Sequence, residues 1–147
     1  VILVDANILI YAYDEASPQH AAALNWLDKQ LNGSARVGLP WPNLLAFLRI
    51  VTNPRAMKNP VAIDQAWRQV ADWLACELVW IPQPTERHAD ILGDLLAQSS
   101  VSGNLTSDAH IATLAIEHGL TLCSADGDFS RFASVRWLNP LAQERAP

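Results

Sequence analysis

Four aspartates carry most of the chemistry legible in this chain. Asp5 directly follows the apolar run Val1-Ile2-Leu3-Val4. Asp126 and Asp128 stand in Ser124-Ala125-Asp126-Gly127-Asp128-Phe129, just past a second apolar run, and Asp108 opens the helical stretch before that run. Carboxylates brought together repel: at roughly 4 Å, two such charges cost about 4 kcal/mol at an effective dielectric of about 20. Three or four of them either take up protons with raised pKa values or hold a cation. Oxygen donors of this kind suit hard ions, Mg²⁺ or Mn²⁺ ahead of Ca²⁺. Such an ion orients a phosphodiester, lowers the pKa of an attacking water and stabilises the leaving oxygen. Each acid also has a plainer use. Asp108 could cap a helix or complement its dipole, and Asp126-Gly127-Asp128 could be an ordinary turn. Asp5 is harder to explain in that way, because an acid ending a buried strand needs a polar partner.

The elements that must position these acids alternate along the chain. Residues 1–4 read as a strand buried on both faces, since the apolar run lacks alternation. Ser17-Pro18 reads as an N-cap and first helical position, with Leu24, Leu27 and Leu31 at helical spacing and Gly33 as the stop. A strand at Arg36–Leu39 precedes a helix with Leu44, Phe47, Leu48 and Val51 on one face, ended by Asn53-Pro54. A helix near 62–75 places Ile63, Ala66, Trp67, Val70, Ala71 and Leu74 on one stripe. Leu78–Ile81 is the third strand. Thr85 caps a helix carrying Ile91, Leu92, Leu95 and Leu96, a polar break covers 99–104, and a helix runs from about Ser107 to His118. Leu120–Cys123 and Val135–Leu138 complete the strands. This order predicts an α/β fold, a three-layer sandwich on a mainly parallel five-stranded sheet. Ligands in such folds lie beyond the carboxyl ends of the strands. Asp5, Asp126 and Asp128 would share that edge, and so would Asp108, because a helix feeding a parallel strand starts there.

The 147 residues suit one domain, 1–147, and half of them are hydrophobic. The net charge of −5 excludes nucleic-acid binding by bulk basicity; bound cations and local arginines would have to offset it. Cys76 and Cys123 lack metal-ligand spacing and read as core thiols of a reducing compartment. No apolar run is long enough to span a bilayer, so we expect a cytoplasmic protein without a membrane segment. Arg49, Arg55 and Lys58 form a basic segment that could guide phosphate or simply solvate a helix end. Arg131 and Arg136 follow the acidic loop and could pair with phosphate, a partner's carboxylate, or Asp126 or Asp128. His110 and His118 share a helix, but no second histidine or lysine is evident beside either, which favours surface roles. The six tryptophans read as mostly core. Trp73 lies off its helix stripe and is expected to be exposed, at an interface with a partner.

The stretches Val4–Tyr11 (VDANILIY), Pro40–Arg55 (PWPNLLAFLRIVTNPR) and Ser107–Asn139, with Ser107-Asp108-Ala109-His110 and Ser124–Phe129 inside the last, resemble the PIN-domain family, in particular VapC-type toxins of bacterial toxin–antitoxin pairs. The resemblance implies a PIN-like α/β/α sandwich and an Mg²⁺- or Mn²⁺-dependent endoribonuclease. It also implies inhibition by a cognate VapB-type antitoxin, and a homodimer. By position, Asp5, Asp108 and Asp126 look like metal-binding carboxylates and Asp128 like a fourth acid further from the ion, with Asn7 and Ser124 orienting them. One departure stands out: where many members carry a glutamate in the middle helix, this chain reads Ala46-Phe47-Leu48-Arg49, and Phe47 binds no metal. A second ion would then be held weakly or would recruit Asp90 or Asp94.

Two other functions compete. An aspartyl-phosphate mechanism could use Asp5, but Asn7 breaks the Asp-x-Asp opening, and Lys29 and Lys58 are poorly placed for a receiver site. A catalytically weak PIN-fold binding module, kept for association alone, is the other, and the missing glutamate is its best support.

Overall fold

The computed structural model describes residues 1–98 and 103–142. The strands are β1 (Ile2–Val4), β2 (Val37–Gly38), β3 (Val79–Trp80), β4 (Thr121–Cys123) and β5 (Trp137–Leu138), and the helices are α1 (Ala6–Tyr13), α2 (His20–Leu31), α3 (Trp41–Val51), α4 (Ile63–Ala75), α5 (His88–Gln98) and α6 (Thr106–Glu117). All four strand pairings are parallel, in the order β3-β2-β1-β4-β5. Leu3 and Val4 are fully buried and pack to opposite sides. Val4 joins the core under α1–α4, and Leu3 joins the core formed with α5 and α6. That division makes three layers and explains the unbroken apolar strands.

The order places a topological switch between β1 and β4. From β1 the chain builds outward through β2 and β3, then returns to the other side of β1 for β4 and β5. The carboxyl ends of these two central strands therefore flank a crevice from which the connections diverge. A sharp turn delivers the chain from α6 into β4. Gly119 has φ of +66°, its N–H bonds Ile116 O at 3.2 Å, and the N–H of Leu120 bonds Ala115 O at 2.8 Å. This is a Schellman closure, and glycine meets its left-handed residue without a Cβ clash.

Several expectations need correction. The first strand leads straight into α1, which the periodicity did not show because Ile8, Leu9 and Ile10 are buried nearly all round. Ser17 does not cap α2. Its hydroxyl accepts from Gln19 N at 3.1 Å within a turn, and the helix starts at His20. On α4 the buried line is Ala66, Val70 and Trp73, while Ile63 and Trp67 are 61% and 46% exposed. Trp73 is thus buried, not exposed, and its ring meets Phe47 edge-on at 4.8 Å. Of the other five tryptophans, Trp26, Trp41, Trp80 and Trp137 are half-buried and pack against the two cores, so all but Trp67 belong to the core or its margin. Cys76 is half-buried at the C-cap of α4, whereas Cys123 is buried, and both are free. Of the polar break expected at 99–104, residues 99–102 lie outside the described residues. Among the described residues no helix is long and apolar enough to cross a membrane.

Candidate metal centre

β1 and β4 run side by side in register, Val4 opposite Cys123, so Asp5 and Ser124 leave the sheet together. Asp5 turns the chain from strand to helix: its Oδ1 accepts from Ala6 N at 2.8 Å and caps α1. Its Oδ2 accepts from the Ser124 hydroxyl at 2.8 Å. That hydroxyl is buried and satisfied, accepting in turn from Asn7 Nδ2 at 3.1 Å and from Asp126 N at 3.0 Å. Asn7 completes the frame by accepting from Ala125 N at 3.2 Å. From β5, the Trp137 indole donates to Ser124 O at 3.0 Å. The loop after β4 is therefore fixed to the start of α1 by side chains that are themselves held in place.

Asp126 caps the 3-10 turn Gly127–Arg131, accepting from Asp128 N at 2.9 Å, and buried Phe129 and Phe132 anchor that turn. The turn reading therefore holds for this segment, and the turn carries both carboxylates to the edge where Asp5 leaves the sheet. Asp108 enters from the first turn of α6, whose N-cap is Leu105, so it is no cap. Asp108, Asp126 and Asp128 each present a carboxylate oxygen within 4.8 Å of the others. Asp5 stands beside this group with both oxygens already hydrogen-bonded.

The electrostatics match this crowding. Asp108 is pushed up to about 6, first by burial and then by the charges of Asp126, Asp5 and Asp128. Burial also raises Asp5, against the hydrogen bonds from Ser124 and Ala6, and Asp126 adds to the rise. Among the described residues these acids make one ion pair, Arg131 Nε to Asp128 Oδ1 at 3.6 Å, but both side chains are about half exposed (57% and 47%) and such a pair is weak. Three converging hard oxygens with little protein charge to balance them fit a divalent cation.

An open cavity of about 620 Å³ adjoins the acids. Its polar wall includes Asp5, Asn7, Asp108 and His110, and α3 contributes Pro42, Asn43, Leu45, Ala46, Arg49 and Ile50. Phe47 is not on this wall. It is fully buried on the opposite face of α3 against Tyr13 and Trp73, so it replaces no metal ligand. The helix still contributes no carboxylate to the wall. Asp90 and Asp94 are exposed on α5 and do not line the cavity. Arg49 does line it, whereas Arg136 donates to Gly119 O at 2.7 Å.

One constellation escaped the sequence reading. His110 does have a second histidine beside it: its Nδ1 lies 3.0 Å from His88 Nε2, and His88 Nδ1 bonds the buried carboxylate of Glu117. His110 and Glu117 are two helical turns apart on α6, which marks one shared face. Nothing local marks His88, which arrives from the start of α5.

Residues 2–135 match the PIN domain. The chain belongs to the PIN-domain family. Among its relatives, Ribonuclease VapC37 of Mycobacterium tuberculosis is 46% identical over 140 residues, covering 95% of this chain and 97% of that protein. Ribonuclease VapC33 of the same species is 36% identical over 143 residues, covering 97% and 100%. Two solved PIN structures share the fold. One is VapBC2 from Rickettsia felis bound to a promoter DNA fragment (TM-score 0.69, 17% identity, 94% of this chain and 97% of that one). The other is Mycobacterium tuberculosis VapC20, a Sarcin-Ricin loop cleaving toxin (TM-score 0.66, 17% identity, 92% and 99%).

Proposed function

We propose that this PIN-domain protein is an endoribonuclease dependent on Mg²⁺ or Mn²⁺, acting as the toxin of a type II toxin–antitoxin pair. The observation that carries the reading is the convergence of Asp108, Asp126 and Asp128 beside Asp5 at the switch between β1 and β4. Support for RNA as the substrate comes from relatives named as VapC ribonucleases. Support for an antitoxin comes from the VapBC2 complex that shares the fold. A cytoplasmic homodimer belongs to the same reading.

The residues that would hold the ion are Asp108, Asp126 and Asp128, with Asp5 next to them. When bound, the ion supplies a Lewis acid for the phosphodiester and acidifies water. The protein does the rest. Ser124 and Asn7 keep Asp5 and the Asp126 backbone in place, so the acids meet the substrate without rearrangement. Asp128, the most open acid, orients the attacking water at the rim. Arg49 on the cavity wall meets a phosphate oxygen of the strand.

The two rival readings lose ground on specific contacts. Both oxygens of Asp5 accept hydrogen bonds and no lysine lines the cavity, which disfavours an aspartyl-phosphate. The inert-module reading keeps the absence of a carboxylate from α3 on the cavity wall, but it gives no account of three carboxylates converging within 4.8 Å of one another. Cleavage of a mixed tRNA, rRNA and mRNA pool, with and without Mg²⁺, tests the proposal. Asp5→Asn is expected to slow cleavage at least a hundredfold, about 3 kcal/mol of barrier, with the circular dichroism unchanged. Near-normal cleavage by that variant would refute the assignment.

A further inference from the structure

We infer that the apolar part of the cavity beside the acids receives one nucleobase of the cleaved strand, and that Asn43 selects it by accepting a hydrogen bond from an exocyclic amine. The inference rests on the nuclease reading and adds base selection to it.

The starting point is a buried amide. Asn43 stands in the first turn of α3, makes no capping hydrogen bond there and is 3% exposed. Burying an amide is costly unless its groups find partners. One group does: Nδ2 donates to Val4 O at 2.8 Å, at the last residue of β1 and next to Asp5. A carbonyl oxygen only accepts, so this contact fixes which way round the amide lies. Among the described residues no group donates to the other arm of the amide, Oδ1. That oxygen is not sealed in, because Trp80 Nε1 is the one enclosed side-chain nitrogen or oxygen without a partner among the described residues. Asn43 lines the cavity, so the little surface it exposes opens there. The result is an acceptor held rigidly by β1 and unused by the fold.

The surrounding walls define what this acceptor meets. Ile10, Leu45, Ala46, Ile50 and Ile111 line the same cavity. Pockets that are apolar with a few placed polar groups take apolar bodies and orient them through the polar groups. Phosphate and ribose are too polar for such walls, whereas a nucleobase has two apolar faces and a polar edge. Asp5 and Asp108 line the polar end of the cavity, so a phosphate held at the acids brings the base of an adjoining nucleotide within reach of the apolar part. Oδ1 then discriminates among base edges. Adenine, cytosine and guanine each carry an exocyclic amine that donates. Uracil carries carbonyl oxygens instead, and these repel another acceptor.

The test is cleavage of RNA oligonucleotides varied at the positions flanking the scissile bond, read as kcat/KM with Mg²⁺ for each base. With wild type, one position is expected to favour an amine-bearing base over uracil by about tenfold, the scale of one hydrogen bond. Deleting that amine alone (adenine replaced by purine, guanine by hypoxanthine or cytosine by pyrimidinone) should cost a similar factor. Asn43→Ala should lose both the preference and the amine penalty at that position and keep any preference elsewhere. Ala46→Leu leaves the bond to Val4 in place and fills the cavity. It should bring cleavage of the amine-bearing strand down toward the uracil level. If Asn43→Ala loses its fold with the Val4 bond, the wild-type amine penalty and Ala46→Leu still decide. A preference for uracil, or an amine penalty that persists in Asn43→Ala, would overturn the proposal. So would a wild-type base profile in Asn43→Ala with a raised Mg²⁺ requirement, which would assign Oδ1 to water around the ion. Wild type that cleaves RNA with no base preference at any flanking position sinks the Asn43 assignment alone, whereas wild type that cleaves no RNA removes the nuclease reading with it.

Discussion

Asp108 combines partial burial with three neighbouring negative charges, and its pKa of about 6 against an ordinary 3.8 has a thermodynamic consequence. A carboxyl whose folded pKa is raised binds its proton more tightly in the native state. Its contribution to stability is therefore present below its unfolded value and is lost as pH rises through the folded one. Without divalent ions, Tm is expected to fall as pH rises from about 4 to about 6, apart from the titration of other groups. Glu117 pulls the other way at the acid end. Burial opposes its charge, yet hydrogen bonds from His88 and Thr85 hold its pKa below the usual 4.5, so its stabilisation is lost as pH falls through that lowered value. Comparing Asp108→Asn with wild type by thermal melts isolates the first effect. Wild type at neutral pH should gain Tm on addition of MgCl₂, and the variant should gain less and show a flatter fall with pH. Superimposable curves would mean that Asp108 neither feels its neighbours nor shares an ion with them. The acids were legible in the sequence because each ends or begins an element that itself announces a turn. Phe47 misled because a matched motif position says nothing of helix phase, and one residue along α3 separates the cavity wall from the core.

The elements that carry these acids depend on short, exact connections, and the tightest is the one from α6 to β4. Gly119 sits at positive φ with nothing near a built Cβ, so substitution there strains the backbone without a clash. Gly119→Ala is expected to cost about 1–2 kcal/mol, read as a shift in the urea midpoint, with metal response retained. A neutral midpoint would show that the closure has another conformation open to it. Most of the strands and helices could be read from the sequence because apolar runs and capping residues alternate. α1 could not, because a helix buried nearly all round carries no amphipathic period and reads like a continuation of β1. The phase of α4 was also missed. Eight apolar side chains cover more than half its circumference, so packing decides which of them face inward, and the ring of Trp73 beside Phe47 took precedence over Trp67. His88 was out of reach for a different reason, since its pairing with His110 and Glu117 joins two helices through long-range packing that no local pattern encodes.

Over the whole molecule, the net charge of −5 sets how an RNA strand can be held. A polyanion is repelled by this surface at long range, so attraction must be local. On the proposed reading that attraction comes from a divalent cation held by the acids and from Arg49 on the cavity wall, with Arg55 and Lys58 exposed nearby in sequence. Binding of a short single-stranded RNA should accordingly be weak without divalent ions and rise sharply with Mg²⁺, measured by fluorescence anisotropy on Asp5→Asn to suppress cleavage. Each phosphate neutralised on a single strand contributes about −0.7 to the slope of log K against log salt. A site with so few cations should give a shallow slope, and adding Arg49→Ala should reduce its magnitude by about 0.7 while weakening binding several-fold. Strong metal-independent binding with a steep slope would place the strand on some other, basic surface, and the acids at the β1–β4 switch would then have no substrate to act on.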